Sequence, residues 1–203
     1  VGYTNGDLDG ETNASSSWSD TLHDAFISKF NSDGSKKWTK LFGINGTKHR
    51  GIGIDIGDDE SIYITGNTLN DLGGETNNGG YDAFVSKLNS DGIKQWSKLL
   101  GSSEYEFGED ISIGSDGSIY VVGYTSGDLD GETNNGQQDA FISKFNSNGD
   151  KQWTKLLGTS GGDEGKVITI SSDGSIFIAG NTEGDLDGQT NNGGFNDAFI
   201  SKF

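Results

Sequence analysis

The chain has no cysteine, which excludes a disulfide framework and a thiolate metal site and leaves packing or bound ions to supply rigidity. It has no methionine, so Val1 is expected to be an internal residue of a longer product. Histidine is nearly absent: His23 and His49 fall in different loops, no zinc-binding histidine pair or nucleophile elbow occurs, and no carboxylate pair stands out from the many repeated ones. An enzyme is therefore not expected. Basic residues number 14 against 31 acidic ones, and the formal net charge of −17 argues against nucleic acid and anionic membrane surfaces as partners, while favouring divalent cations. No apolar run approaches the ~20 residues of a membrane span, and no charged-then-apolar leader opens the chain, so membrane insertion is not expected.

Glycine is abundant, at 34 of 203 residues, and hydrophobic residues make up only 30%, yet the apolar residues come in short alternating runs separated by Gly and Asn clusters. Those runs repeat. DAFISKFNSDG from Asp24 returns as DAFVSKLNSDG from Asp82, DAFISKFNSNG from Asp139 and DAFISKF from Asp197, at steps of 57 or 58 residues. Trp38, Trp96 and Trp153 keep the step, as do SIYITGNT from Ser61, SIYVVGYT from Ser118 and SIFIAGNT from Ser175.

Each unit offers four candidate strands, in the second unit Gly51 to Ile56, Ser61 to Gly66, Asp82 to Leu88 and Gln95 to Leu100. This pattern predicts an all-β fold, a β-propeller of four-stranded antiparallel blades. A solenoid is the competing repeat architecture, but its coils are shorter and the unit has no internal subdivision. The predicted units are a partial blade over 1–43, blades over 44–101 and 102–158, and a partial blade over 159–203. In the first strand Ile52, Ile54 and Ile56 are expected on one face and Gly51 and Gly53 on the other, as suits an innermost strand. Asp-Gly pairs such as Asp33-Gly34 and Asp91-Gly92 are expected in tight hairpins needing positive φ. An innermost strand of the first blade and an outermost strand of the last are missing, which suggests part of a larger ring or array, or chains that complete one another by strand addition.

The units of the form GSDGSIYVVGYTSGDLDGETNNGQQDAFISKFNSNGDKQWTKLLG, Gly114 to Gly158, closely resemble the bacterial seven-bladed β-propeller repeats, of the SBBP type, over essentially the whole chain. The resemblance implies a propeller in a bacterial extracellular or cell-surface setting, built into tandem arrays, and carries no catalytic residues. Two departures are an expanded loop, Glu11 to His23, and Gly73 where sister copies have aspartate.

The most distinctive polar feature is the crossover GDLDGETNNG, intact at Gly127 to Gly136, with related copies from Gly6, Asn70 and Gly184. Asp128, Asp130, Glu132 and Asn134 alternate, and Asp139 follows, in the manner of oxygen ligands gathered around calcium. Asp7, Asp9, Glu11, Asp185 and Asp187 are their counterparts. The alternative is that these side chains make turns and solvate a surface. The repeated tryptophans are expected in blade packing. Trp18, in the expanded loop near His23, is a candidate for stacking on a sugar, so surface glycans are possible partners beside neighbouring propeller repeats or self-association. A structural or adhesive scaffold, with calcium as a stabilising ion, is the leading expectation; a carbohydrate-binding propeller is the alternative.

Overall fold

The computed structural model describes residues 1–13, 23–43, 48–194 and 196–203. The described residues form antiparallel sheets whose strands pair in chain order. The first sheet holds β1 (Gly2–Thr4), β2 (Asp24–Phe30) and β3 (Lys36–Phe42), and the second β4 (His49–Ile56), β5 (Ile62–Thr68), β6 (Asp82–Leu88) and β7 (Lys94–Leu100). The third holds β8 (Glu106–Ile113), β9 (Ile119–Thr125), β10 (Asp139–Phe145) and β11 (Lys151–Leu157), and the last β12 (Asp163–Ile170), β13 (Ile176–Thr182) and β14 (Asp197–Lys202). These are propeller blades. Complete blades run from an inner first strand to an outer fourth, and among the described residues the first sheet holds no innermost strand and the last no outermost strand, as the repeat pattern predicts.

The inner strands β4, β8 and β12 lie against one another. Each carries a β-bulge, between Gly51 and Gly53, Gly108 and Asp110, and Gly165 and Val167. The bulge corrects the expected facing. One extra residue shifts the alternation, so Gly51 and Gly53 point to opposite sides. A Cβ on Gly51 would meet Val1 and Ala25 of the first blade, whereas one on Gly53 would meet Asp110 of the third. Gly108 and Gly165 face the preceding blade in the same way, against Thr65 and Gly66 and against Val122 and Gly123. Small residues here permit the approach of blade to blade.

Apolar clusters fill the space between sheets. Val85 and Tyr63 of the second blade pack with Ile111, Val121 and Phe141 of the third, and Val122 and Ile142 of the third with Ile168 and Ile178 of the fourth. Ile27 of the first packs with Ile62, Ile64 and Phe84 of the second. The effect of an inner neighbour shows in one repeated position: Ile111 and Ile168, covered by β4 and β8, are 3% and 5% exposed, while Ile54, with no such strand before it among the described residues, is 40% exposed.

The tryptophans take the packing role expected of them. Trp96 and Trp153 meet Tyr63 and Tyr120 edge-on, with ring centroids 6.4 and 6.2 Å apart. The hairpin of the next blade covers Trp38 and Trp96: a Cβ on Gly92 would lie 2.9 Å from Trp38, and one on Gly149 3.1 Å from Trp96. In these hairpins only the glycine has positive φ (Gly34, Gly92, Gly149), because the loop is a turn closed by one left-handed residue and not a two-residue turn. Among the described residues no helix is long and apolar enough to cross a membrane.

Candidate functional site

The crossover between the second and third strands of each blade folds on a two-residue turn. Leu129 and Glu132 exchange backbone hydrogen bonds of 3.0 Å, and Asp130 and Gly131 between them have φ of 55° and 85°. Asp9-Gly10, Gly73-Gly74 and Asp187-Gly188 repeat the pair of positive φ values. Aspartate tolerates the left-handed region better than most residues with a Cβ, and glycine occupies it freely, which accounts for D-G or G-G here. The leucine before the turn is a plug: Leu72, Leu129 and Leu186 are buried.

The turn sends the expected calcium ligands in different directions. Asp128 accepts from the Asn134 N–H at 2.9 Å, and Asp7 and Asp185 do the same for Asn13 (2.9 Å) and Asn191 (2.8 Å). Asn134 donates its side-chain amide to the Thr125 carbonyl at 3.0 Å. Asp130 pairs with Lys151 and accepts from Thr154 Oγ1 at 2.5 Å, and Asp9 pairs with Lys36 and accepts from Thr39 Oγ1 at 2.6 Å. Glu132 and Glu11 reach Lys155 and Lys40, at 2.6 and 2.8 Å. In the second copy Gly73 supplies no carboxylate, and Glu75 keeps Lys98 at 2.7 Å. Asp187 is the exception, making no hydrogen bond or ion pair among the described residues.

Asp130, Glu132, Asp9 and Glu11 tie the crossover to the outer strand of its own blade, whereas Asp128, Asp7 and Asp185 close the crossover on itself, so the set does not form one oxygen shell. Among the described residues no group of three or more His, Cys, Asp or Glu is placed to hold a metal ion.

Asp139 belongs elsewhere. With Asp82 it opens the third strand, buried, at the junction with the next blade. There the Glu106 N–H donates to the Tyr81 carbonyl at 2.6 Å and the Asp163 N–H to that of Gln138 at 2.8 Å, which brings Asp82 beside Glu106 and Asp139 beside Asp163. Glu106 is satisfied by Ser102 and Thr125; Asp163 accepts from the Thr159 N–H and Oγ1 through Oδ2, while its Oδ1 has no partner among the described residues. Asp82 accepts the Asn78 N–H through Oδ2 at 3.1 Å, while its Oδ1 has no partner among the described residues. Burial raises its pKa to about 6, the Asn78 hydrogen bond works against the rise, and the Glu106 charge adds to it. Asp139 is raised by burial too, with Asp163 adding to the rise. Each Asp lies over a glycine: a Cβ on Gly101 would sit 2.2 Å from Asp82, and one on Gly158 2.2 Å from Asp139. The fixed Asp and the fixed glycine after Leu-Leu were visible in the repeat, but nothing in the spacing showed that they touch.

His49 occupies the position of Glu106 and Asp163 in the second blade. Burial, with Lys94 adding to it, lowers its pKa to about 4, so the ring is neutral at pH 7. His23 lies 5.1 Å from the Tyr3 ring, with the Arg50 guanidinium 5.0 Å over that ring. Trp18, the other candidate for sugar stacking, lies outside the described residues. A second aromatic group, missed in the sequence because it does not repeat, runs along the same rim: Tyr105, Tyr81, Phe107 and Tyr124 follow one another at 6.5, 5.4 and 4.9 Å.

The inner bulged strands, the stacked four-stranded blades and the internally tied crossovers define a propeller assembly. The chain carries two matches to the beta-propeller repeat family, SBBP, at residues 95–130 and 152–187. Regulatory protein FlaEY of Caulobacter vibrioides is similar over 155 residues at 30% identity, covering 71% of this chain and 16% of that protein. The chain thus spans about a sixth of the length of that relative.

Proposed function

We propose that the chain is a non-enzymatic scaffold module, set in an extracellular or cell-surface protein, that presents rigid blades to neighbouring propeller repeats. One observation carries this reading: in three copies the crossover's acidic groups are engaged by lysines or backbone of the same blade. They are spent on holding the blade. A relative described as a regulatory protein is in keeping with a module that presents a surface. On this reading the expected calcium ion is not a structural requirement. Thermal unfolding in millimolar calcium and in excess chelator is expected to give the same melting temperature. A ligand held only by the native state at 100 times its dissociation constant would add ~2.7 kcal/mol, so a clear rise in calcium would overturn this part of the proposal.

A second reading, glycan binding, is favoured by the rim aromatics, of which Tyr105 is exposed. Aromatic faces and flanking carboxylates suit the apolar face and hydroxyls of a sugar ring. Selective binding on a glycan array, abolished by Tyr105→Ala with the fold intact, is the result that supports it. An array with no selective signal removes it.

A further inference from the structure

The second blade departs from the repeat at two positions that meet where it packs on the first. In the third and fourth blades Glu106 and Asp163 open the inner strand and accept hydrogen bonds from Ser102, Thr125 and Thr159. His49 takes their place in β4, opposite Thr68 as they stand opposite Thr125 and Thr182. It is 1% exposed, and neither ring nitrogen has a hydrogen-bond partner among the described residues. A neutral imidazole offers one N–H donor and one acceptor, and leaving both unmade in a buried site is costly.

The other departure is Gly73. In the first and third blades the turn aspartate holds the first lysine of the outer strand, Asp9 with Lys36 and Asp130 with Lys151. Lys94 has the same place in β7, and with no aspartate at the turn it makes no ion pair among the described residues. His49 and Lys94 line one cavity of about 190 Å³, and the Lys94 charge acts on the His49 ring. Its walls come from β2 to β7, all internal to the sequence. Phe42 of the first blade and Ile64, Leu72 and Phe84 of the second make them apolar, and the Ser97 hydroxyl is also on the lining. At the next junction the same positions, Leu100, Val121, Leu129 and Phe141, belong to one packed cluster.

We propose that this cavity binds a small carboxylate with an apolar body, the carboxylate between Lys94 and the His49 N–H and the body against Phe42, Ile64, Leu72 and Phe84. The sister blades show the same pairing of groups, a carboxylate against this lysine, supplied there by the chain itself. A few convergent polar groups in an apolar cavity orient a ligand, and hydrogen bonds to a charged acceptor are the strong ones. Size limits the body to about one ring, since a dry cavity of ~150 Å³ holds benzene. The site is separate from the scaffold role, which does not depend on it.

The test is a titration of the whole chain with benzoate, followed through the imidazole nitrogen resonances by NMR. The chain has two histidines, so a His49→Phe variant assigns the signals. A saturable shift at His49 with one-to-one stoichiometry is expected. Lys94→Gln, at an exposed position of β7 that leaves the fold intact, is expected to weaken binding by about tenfold, and Lys151→Gln to leave it unchanged. Benzyl alcohol, of similar size and uncharged, is expected to bind at least about tenfold more weakly than benzoate. His49 signals that stay fixed at every benzoate concentration overturn the proposal. So does binding of benzyl alcohol as tight as that of benzoate, or benzoate binding that Lys94→Gln does not weaken.

Discussion

At Asp82 and His49 burial acts on two ionisable groups in opposite directions. Asp82 is raised from 3.8 to about 6, so its contribution to stability is fully present below 3.8 and is lost as pH rises through 6. His49 is lowered from 6.5 to about 4, so its contribution is present above 6.5 and is lost as pH falls through 4. The two offset each other between these limits. Asp82→Asn keeps the Asn78 hydrogen bond without a buried charge. It is expected to melt higher than the parent at pH 7.5, with the difference shrinking by pH 4.5; a constant difference between the two pH values would sink this account of Asp82. Glycines divide by the same physical reasoning. A Cβ on Gly123 would lie 1.8 Å from the Phe107 carbonyl oxygen, so Gly123→Ala is expected to destabilise by roughly 3 kcal/mol or more. At Gly131 nothing lies within 4 Å, and Ala is expected to cost roughly 1–2 kcal/mol for its positive φ alone. Urea titrations of the two variants make the comparison.

The outer strand of each blade is held by two devices of unequal strength. The half-exposed lysine pairs at Lys151 and Lys155 are expected to contribute about 1 kcal/mol or less each, so alanine at either site should move the denaturation midpoint little. Trp96 fills space between Tyr63 and the next hairpin, and Trp96→Ala is expected to cost roughly 3 kcal/mol. The strands, their order in each blade and this packing role were legible because the 57- or 58-residue step aligns DAF with DAF and Trp with Trp. The bulge at Gly51 and Gly53 was not, since a period of two continues unbroken in the letters while the backbone inserts a residue. The fate of Asp128, Asp130 and Glu132 was hidden too. Alternating carboxylates read alike whether they converge on an ion or diverge, and divergence depends on the positive φ at Asp130 and on lysines more than twenty residues away in sequence. The partnership of Asp82 with Gly101 and Glu106 spans a blade junction, which no local window covers.

Across the molecule, stability comes from blade on blade. A four-stranded sheet of this size has two faces to bury, and only the second and third blades have described neighbours on both sides. The same third-strand position records it: Val85 and Ile142 are 0% and 1% exposed, Ile200 is 74% exposed. On the proposed scaffold reading, neighbours, and not bound ions or the blades individually, stabilise the stack. Native-state hydrogen exchange tests this most directly. The account predicts the slowest exchange in β5, β6, β9 and β10, with β1 and β14 exchanging by local opening at much lower free energy. Equal protection across all the sheets, or protection that rises in every blade on adding calcium, would contradict it.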